Sequence, residues 1–340
     1  MKPLQKSKSF LQLFVLLTAC LFLTGLNAQA QTPSIKTSIT NGADFTDTQG
    51  NLINAHGGGM LKVDGYYYWI GENRKDGVFV SCYRSKDLMN WEFRADLLTR
   101  QSHAELDKAN IERPKVIYNE KTKQFVMWMH YEYGRDYSYA RAAVAYSSDI
   151  EKPFTFLKSF RPFENMSRDC TLYKEADGTA YFFSAARENY DMIQYKLTDD
   201  YLDAKEQIAT LWPGGHREAP ALVKRGDYYF LMTSGCTGWA PNQAKYAYAK
   251  SIKGPWSDLM DIGDPTTFDS QSTFILPIEG KKRTSYLYIG DRWDGKKYSN
   301  SKYIFLPLTF KNDSTMELKW VDEISPDIKS GEIQTSKSAK

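Results

Sequence analysis

A pattern that recurs five times along the chain restricts its possible folds more than any other feature. Each copy is a short apolar strand, a turn and a second strand rich in aromatic residues. The turns contain Asp-Gly, Asn-Glu-Lys, Asp-Gly, Gly-Asp and Glu-Gly, which are typical of β-hairpins. A period of this kind indicates a repeat architecture. The aromatic strands begin 47 to 59 positions apart, near Tyr66, Phe125, Tyr181, Tyr228 and Tyr286.

A further element follows the hairpin in several copies and completes a four-stranded unit. It reads YRSKDLMNW, YSSDIEKPF and YAKSIKGPW, with a weaker copy YKLTDDYL. Each is interpreted as a third strand, a turn capped by Ser, Thr or Asp, and an aromatic residue that starts a fourth strand. Five such units predict an all-β chain that folds as a five-bladed β-propeller in a single domain, residues 31–326, followed by a polar tail at 327–340. A β-sandwich is the alternative, but it does not require a regular repeat.

The first thirty residues predict a secretory signal peptide. Three lysines precede a mostly apolar run that ends in the sequence AQA, so cleavage is expected after Ala30. This predicts secretion across the inner membrane and a periplasmic location. The sequence LTAC, which ends at Cys20, resembles a bacterial lipobox and leaves an outer-membrane lipoprotein as the alternative. No second apolar stretch is long enough to span a bilayer.

Charge and residue counts argue against several classes of function. The chain has 44 basic and 41 acidic residues, and removal of the three lysines of the signal leaves 41 of each. This balance argues against nucleic acids and anionic membranes as partners. Cys82, Cys170 and Cys236 match no zinc-binding spacing, and no HxH or HExxH sequence occurs. We therefore expect no metal and no other cofactor, and we interpret the cysteines as mainly buried small residues.

One polar residue precedes the first apolar strand of every copy. In a propeller the innermost strands run along a central channel, so one channel mouth collects an equivalent residue from each blade. Three carboxylates held together there are costly without a function, although channel groups can also simply bond one another. The five residues are 49 to 57 positions apart and follow the repeat: His56, Glu112, Asp169, Glu218 and Gln271.

Clustered carboxyl groups are suited to the hydrolysis of glycosidic bonds. One protonated acid gives its proton to the leaving oxygen, while a basic group activates water or attacks the anomeric carbon. Crowding by like charges raises the pKa of one carboxyl group, so that it stays protonated near neutral pH. The high aromatic content, 14%, also suits a protein that binds the apolar faces of sugars.

These residues and their surroundings resemble glycoside hydrolase family 43, and within it the exo-β-1,3-galactanase subgroup. The resemblance spans about residues 41–324 and implies a five-bladed propeller that releases galactose from β-1,3-galactan or arabinogalactan backbones with inversion. It also implies that Glu218 is the general acid and that Asp169 tunes its pKa and orients it. The motifs that carry the resemblance are HGGGM, YYYWIGEN, IERPK, SRDCTLY, REAPAL, SGCTGWAPN, DSQSTFI and YIGDRW.

The identity of the catalytic base stays open. Most of the wider family has an Asp at the start of the first blade, but this chain has His56 there, as the subgroup does. On chemical grounds we expect Glu112 to be the base and Gln271 to position water, because a neutral amide is a poor base. The resemblance favours the reverse, with Glu112 as a substrate-binding residue.

The remaining expectations concern substrate contacts and alternative functions. The substrate-binding candidates are His56, Glu72, Tyr131, Arg168, Asn189, Thr237, Trp239 and Asn242. The expected partner is a β-1,3-linked galactan or oligosaccharide, and the protein is expected to be a monomer. Two alternatives are an α-L-arabinofuranosidase or β-xylosidase on the same scaffold, and a catalytically inactive sugar-binding propeller.

Overall fold

The computed structural model describes residues 35–134 and 136–336. The predicted signal peptide, its cleavage site and Cys20 lie outside these ranges, as do residues 337–340. The described chain is all-β, as predicted. Its helical elements are four 3-10 turns, Arg100–Ser102, Ala104–Leu106, Pro162–Glu164 and Tyr298–Asn300. None of the helices within the described ranges has the length and apolar character needed to cross a bilayer.

A short first strand, β1 (Ile39–Thr40), precedes five four-stranded antiparallel sheets, each made of four consecutive strands. Sheet 1 contains β2 (His56–Val63), β3 (Tyr66–Glu72), β4 (Val78–Ser85) and β5 (Glu92–Thr99). Sheet 2 contains β6 (Ala109–Asn119), β7 (Gln124–Tyr133), β8 (Asp136–Ser147) and β9 (Thr155–Phe160). Sheet 3 contains β10 (Cys170–Lys174), β11 (Ala180–Ala186), β12 (Asp191–Leu197) and β13 (Ala204–Leu211). Sheet 4 contains β14 (Arg217–Arg225), β15 (Tyr228–Gly235), β16 (Ala244–Ala249) and β17 (Met260–Ile262). Sheet 5 contains β18 (Gln271–Glu279), β19 (Thr284–Arg292), β20 (Lys302–Phe310) and β21 (Met316–Leu318).

The five hairpins predicted from the repeat form the first two strands of each sheet. In sheet 1, Asp64 and Gly65 have φ values of 49° and 80°, as a type I′ turn with the sequence Asp-Gly requires. The local turn sequences therefore set the register of these hairpins.

Alternate residues of the aromatic strands pack against different neighbouring sheets. In β3, Tyr68 and Ile70 belong to an apolar cluster shared with sheet 2, whereas Tyr67 and Trp69 belong to one shared with sheet 5. This follows from the two-residue period of a strand. Similar clusters lie between sheets 2 and 3, 3 and 4, and 4 and 5. Because both faces of each sheet are covered, the central residues of the aromatic strands are mostly apolar on both faces rather than alternating with polar residues.

The first strands of the sheets lie side by side. Strand β2 contacts β6, β6 contacts β10, β10 contacts β14, β14 contacts β18, and β18 contacts β2. The starts of these strands therefore meet in one region, as the sequence pattern required.

The C-terminal segment is more ordered than its polar sequence suggested. Strands β22 (Glu323–Asp327) and β23 (Glu332–Thr335) form a hairpin, and β22 pairs with β1 so that Ile39 lies opposite Ile324. The predicted boundary of a tail at residue 327 is therefore wrong for the described residues up to 335. The backbone of this polar segment forms the hydrogen bonds of a sheet. The composition of a segment does not show whether its backbone will do so.

Candidate active site

Four of the five repeat-equivalent residues line one cavity of about 350 Å³ at the start of the first strands. Glu112, Asp169, Glu218 and Gln271 all contribute to its wall. The fifth residue, His56, is buried beside this wall. Its Nδ1 lies 2.8 Å from Asp291 Oδ1, and its ring stacks on Tyr303 at 4.3 Å between centroids. His56 therefore does not line the cavity, contrary to the expectation of a direct sugar contact.

β-Bulges turn the first strands at this cavity. The pairing of β2, β6 and β14 shifts register directly after His56, Glu112 and Glu218. A bulge re-aims the neighbouring side chains and bends the strand. The residues that follow them have positive φ values: 56° at Gly57, 52° at Arg113 and 52° at Ala219.

A carboxylate of the preceding sheet accepts the backbone N–H at each of these bulges. Asp291 Oδ2 accepts from Gly57 at 2.8 Å, and Glu72 Oε1 accepts from Arg113 at 2.9 Å. In the same way Asp169 Oδ2 accepts from Ala219 at 3.1 Å. We call these three contacts the bulge latches. They satisfy an N–H that the sheet leaves unpaired and join consecutive sheets.

Glu218 has the environment of a carboxylic acid that is protonated near neutral pH. Burial and the negative charge of Asp169 raise its pKa to about 7, against an opposing effect of Arg113. Its Oε1 accepts from Gln271 Nε2 at 2.9 Å, and its Oε2 accepts from Asn189 Nδ2 at 2.9 Å. The group is thus held in one orientation at the cavity wall.

Glu112 is surrounded by donors. Its Oε1 accepts from Arg74 at 2.9 Å, from Asn110 at 2.8 Å and from the hydroxyl of Tyr137 at 2.5 Å. Its Oε2 lies 3.2 Å from His130 Nδ1. Burial alone would raise the pKa of Glu112, but His130 and Arg74 hold it well below its usual range. Glu112 is therefore an ionised carboxylate whose acceptor capacity is largely used.

A buried carboxylate contacts the ring nitrogen of His130 that does not face Glu112. Glu132 is fully buried, and its Oε1 lies 2.7 Å from His130 Nε2 while its Oε2 accepts from the N–H of Ala140 at 2.7 Å. Burial lowers the pKa of His130, but the contacts with Glu112 and Glu132 outweigh it and raise the pKa to about 9. His130 is therefore an imidazolium at neutral pH.

The side-chain amide of Gln271 is saturated. Its Nε2 donates to Glu218 Oε1 and to Ser234 Oγ, each at 2.9 Å. Its Oε1 accepts from the indole of Trp293 at 2.8 Å and from the guanidinium of Arg113. Both hydrogens and both lone pairs of the amide thus have partners, which fixes which end faces Glu218.

The other predicted contacts divide into two groups. Glu72, Arg168, Asn189 and Trp239 line the cavity. Glu72 is nonetheless 1% exposed, since it forms a bulge latch and also accepts from Arg74 and Tyr298. Burial raises the pKa of Glu72. Trp239 is 48% exposed at the rim, with its ring 5.8 Å from that of Trp293.

Tyr131, Thr237 and Asn242 do not line the cavity. Tyr131 belongs to the cluster between sheets 1 and 2, and its hydroxyl donates to the carbonyl of Glu105 at 2.6 Å. Asn242 donates to Thr237 Oγ1 at 2.7 Å and accepts from the N–H of Gly235 at 2.7 Å. Thr237 and Asn242 therefore shape the loop that carries Trp239, which corrects their prediction as direct contacts.

Several residues of the cavity wall were not predicted. Some had a usable signal: Arg113 follows Glu112 in the ERPK motif, and His130 lies opposite Glu112 in the hairpin register. Cys236 was expected to be buried, but it is partly exposed there, and burial raises the pKa of its thiol to about 12. The unpredicted wall residues are Arg74, Arg113, His130, Tyr137, Cys236 and Trp293.

One cluster within the described ranges has the spacing of a metal site. Ligand atoms of Glu112, His130 and Asp169 lie within 4.8 Å of one another. A metal ion requires a neutral imidazole, whereas His130 carries a proton up to about pH 9. Asp169 also faces the guanidinium of Arg113, whose Nε is 2.9 Å away. The chemistry of this cluster thus favours internal ion pairing over binding of a cation.

Comparisons with known proteins agree with this geometry. None of the curated proteins compared matches the chain. Among solved structures, an exo-β-1,3-galactanase from Clostridium thermocellum is 52% identical, with a TM-score of 0.85 over 88% of this chain and 68% of that one. An exo-β-1,3-galactanase variant from Phanerochaete chrysosporium, solved with β-1,3-galactotriose, is 35% identical, with a TM-score of 0.83 over 88% and 71%. A family 43 β-1,3-galactosidase, solved with galactodeoxynojirimycin, is 34% identical, with a TM-score of 0.79 over 84% and 99%.

The family model described as "Glycosyl hydrolases family 43" matches residues 57–302, more than half of the sequence. The chain therefore belongs to glycosyl hydrolase family 43.

Proposed function

We propose that this protein is an exo-acting, inverting hydrolase that releases galactose from β-1,3-galactan or arabinogalactan backbones. The observation that carries the proposal is the partly buried Glu218 beside Asp169, with a pKa raised to about 7, in a cavity of about 350 Å³. A cavity of this size suits the terminal sugar of a chain. The solved structures described as β-1,3-galactanases and β-1,3-galactosidases support galactose as that sugar.

In this mechanism Glu218 gives its proton to the glycosidic oxygen, and the adjacent charge of Asp169 favours the protonated form of Glu218 before the reaction. When the carboxyl group of Glu218 turns towards the glycosidic oxygen, it leaves its hydrogen bond with Gln271 Nε2. The freed N–H of Gln271 then donates to the attacking water. Gln271 thus holds this water on the face of the sugar opposite the leaving group. As the C–O bond to the anomeric carbon forms and the bond to the leaving oxygen breaks, the water gives its second proton to solvent. Glu218 then takes up a proton from solvent, which restores the acid.

The contacts of Glu112 lead us to a different division of roles from the one expected on chemical grounds. A carboxylate whose pKa is held well below its usual range is a poor proton acceptor. We assign Glu112 to accept hydroxyls of the sugar and to offset the positive charge that develops on its ring. Arg168, Asn189 and Trp239 complete the sugar site, with Trp239 stacking on the apolar face of a sugar.

Three further properties complete the proposal. The five sheets are the blades of a five-bladed propeller, which the contacts between consecutive first strands support. The chain is a monomer that requires no metal or other cofactor. It is secreted through its N-terminal signal and works in the periplasm, or on the outer membrane if Cys20 is lipidated.

The test compares the wild-type protein with Glu218→Gln and the control Glu206→Gln on β-1,3-galactan, pNP-arabinofuranoside and pNP-xyloside. Glu206 lies on β13 and is exposed, so Glu206→Gln makes the same chemical change at a position away from the site. We expect galactose release that falls by about 10²- to 10⁴-fold in Glu218→Gln alone. ¹H NMR of the first product should show α-galactose, since attack by water inverts a β-linkage. Release of pentoses but not galactose by the wild-type protein would refute the substrate assignment.

A further inference from the structure

We propose that Arg113 is a positioning residue that fixes the amide of Gln271 and the carboxylate of Asp169 in one rigid unit, a role that rests on the proposed function. Arg113 lies on sheet 2, Asp169 directly precedes the first strand of sheet 3, and Gln271 lies on sheet 5. One side chain thus joins the residue that tunes the acid to the residue that holds the attacking water.

The guanidinium uses its separate donors for separate partners. Its Nε lies 2.9 Å from Asp169 Oδ2, one terminal nitrogen donates to Gln271 Oε1, and the other donates to the carbonyl of Ser272 at 3.0 Å. A planar fork with five N–H donors can satisfy three acceptors in fixed directions, whereas an ammonium group cannot. The distance between Asp169 and Gln271 is therefore set by the dimensions of the guanidinium itself.

The backbone of Arg113 is held as firmly as its side chain. Its N–H forms a bulge latch with Glu72, and its carbonyl lies 3.6 Å from the Sγ of Cys170. Its φ is 52°, a conformation that costs an L-residue energy and persists only where the surroundings impose it. Strain of this kind at a cavity wall is typical of residues whose exact direction matters.

The contact with Arg113 also decides which way the Gln271 amide faces. Arg113 and Trp293 are both donors, so only the Oε1 end of the amide can face them. The NH₂ end is thereby directed to Glu218, where the reaction takes place. Without Arg113 only the indole of Trp293 would remain at Oε1, and the amide would lose one of the four contacts that fix its direction.

A purely structural role for Arg113 makes different predictions. Arg113 is 4% exposed and faces the charges of Asp169, Asp291 and Glu72, so its loss must affect stability under either view. Only the positioning role links its loss to the orientation of Gln271. The experiment must therefore contain readouts other than stability and total activity.

The experiment compares Arg113→Met, Arg113→Lys and Arg113→Ala with the control Arg84→Met, since Arg84 pairs with Glu92 and Glu151 and is not part of the cavity wall. We expect kcat to fall by about 100-fold in Arg113→Met with a smaller change in KM, the loss that a small misplacement of a catalytic group causes. Because Arg113 opposes the raised pKa of Glu218, the basic limb of the kcat/KM profile should move to higher pH in Arg113→Met and return in Arg113→Lys. Added guanidinium should restore part of the activity of Arg113→Ala.

A crystal structure of Arg113→Met provides a readout that does not depend on activity. We expect the Gln271 amide to turn or shift relative to Glu218 and Asp169. An unmoved Gln271 would overturn the inference, as would an unchanged kcat in a folded variant. Absence of galactose release from the wild-type protein would instead refute the proposed function, while the crystal structure would still decide the role of Arg113.

Discussion

The substitution Asp169→Asn tests how the acid is kept protonated. The pKa of Glu218 rises from its ordinary 4.5 to about 7, which corresponds to about 3 kcal/mol against the ionised form. Burial is the larger cause and the charge of Asp169 the second. Asparagine removes that charge but keeps an oxygen that can accept the N–H of Ala219 in the bulge latch. The substitution therefore separates the electrostatic effect of Asp169 from its structural one.

We expect the basic limb of the kcat/KM profile to move down by about one pH unit in Asp169→Asn. The sign follows from the chemistry, because the general acid works only when protonated and activity disappears as the pH rises through its pKa. At pH 7 the protonated fraction of Glu218 would fall from about one half to about one tenth, so kcat/KM would fall by about fivefold from this effect alone. A larger loss that persists at low pH would measure the disturbance of Arg113, which loses its ionic partner.

The assay is the initial rate of galactose release from β-1,3-galactan across the pH range, fitted for the position of each limb. Asp199→Asn is the matched control, since Asp199 is an exposed carboxylate that pairs with Lys121. A basic limb that stays in place or moves to higher pH in Asp169→Asn would refute the electrostatic role. Retained binding of galactodeoxynojirimycin would show that such a variant is folded.

Four further substitutions test other parts of the site. Gln271→Ala should lower kcat by more than Glu112→Gln does, while Glu112→Gln should raise KM more, and steady-state kinetics that show the opposite would restore Glu112 as the base. His130→Gln should lower the free energy of unfolding by about 3–5 kcal/mol in denaturant titrations, because it removes the cation between two buried carboxylates. Gly57→Ala should lower the melting temperature, because its φ of 56° disfavours a Cβ and that atom would meet Glu72; an unchanged melting temperature would contradict the need for glycine there.

The repeat allowed the strands of the five sheets to be predicted because turns and aromatic runs are local features. It also allowed the cavity to be placed, since equivalent positions of a repeated unit lie together. The pairing register of each hairpin would have allowed further residues near the cavity to be predicted. His130 faces Glu112 across the β6–β7 pair, and Asp291 faces Gln271 across β18–β19.

Tyr131 shows why a sequence neighbour of the site was misplaced. It is the next residue after His130 on β7, and successive side chains of a strand point to opposite faces. Because His130 faces the cavity, Tyr131 must face the cluster between sheets 1 and 2. Arg74 and Tyr137, which both contact Glu112, could not be predicted for another reason. Arg74 lies after the end of β3 and Tyr137 lies at the start of β8, where the two-residue period of a strand gives no guide to side-chain direction.

The bulge latches explain why the roles of carboxylates in this fold are hard to read from sequence. Asp291 and Glu72 each accept a bulge N–H of the next sheet, and Asp169 forms the same contact. The latch of Asp291 ends at Gly57, which follows His56 and not an acid, so the contact is in the first place a device of the fold. The latches of Glu72 and Asp169 end at the residues after Glu112 and Glu218, so each brings a carboxylate next to another carboxyl group. His130 and Arg74 lower the pKa of Glu112, whereas the charge of Asp169 raises the pKa of Glu218. In the proposed mechanism the tuning of Glu218 follows from a structural contact that the fold repeats, and sequence position alone cannot separate the structural role of Asp169 from its effect on the acid.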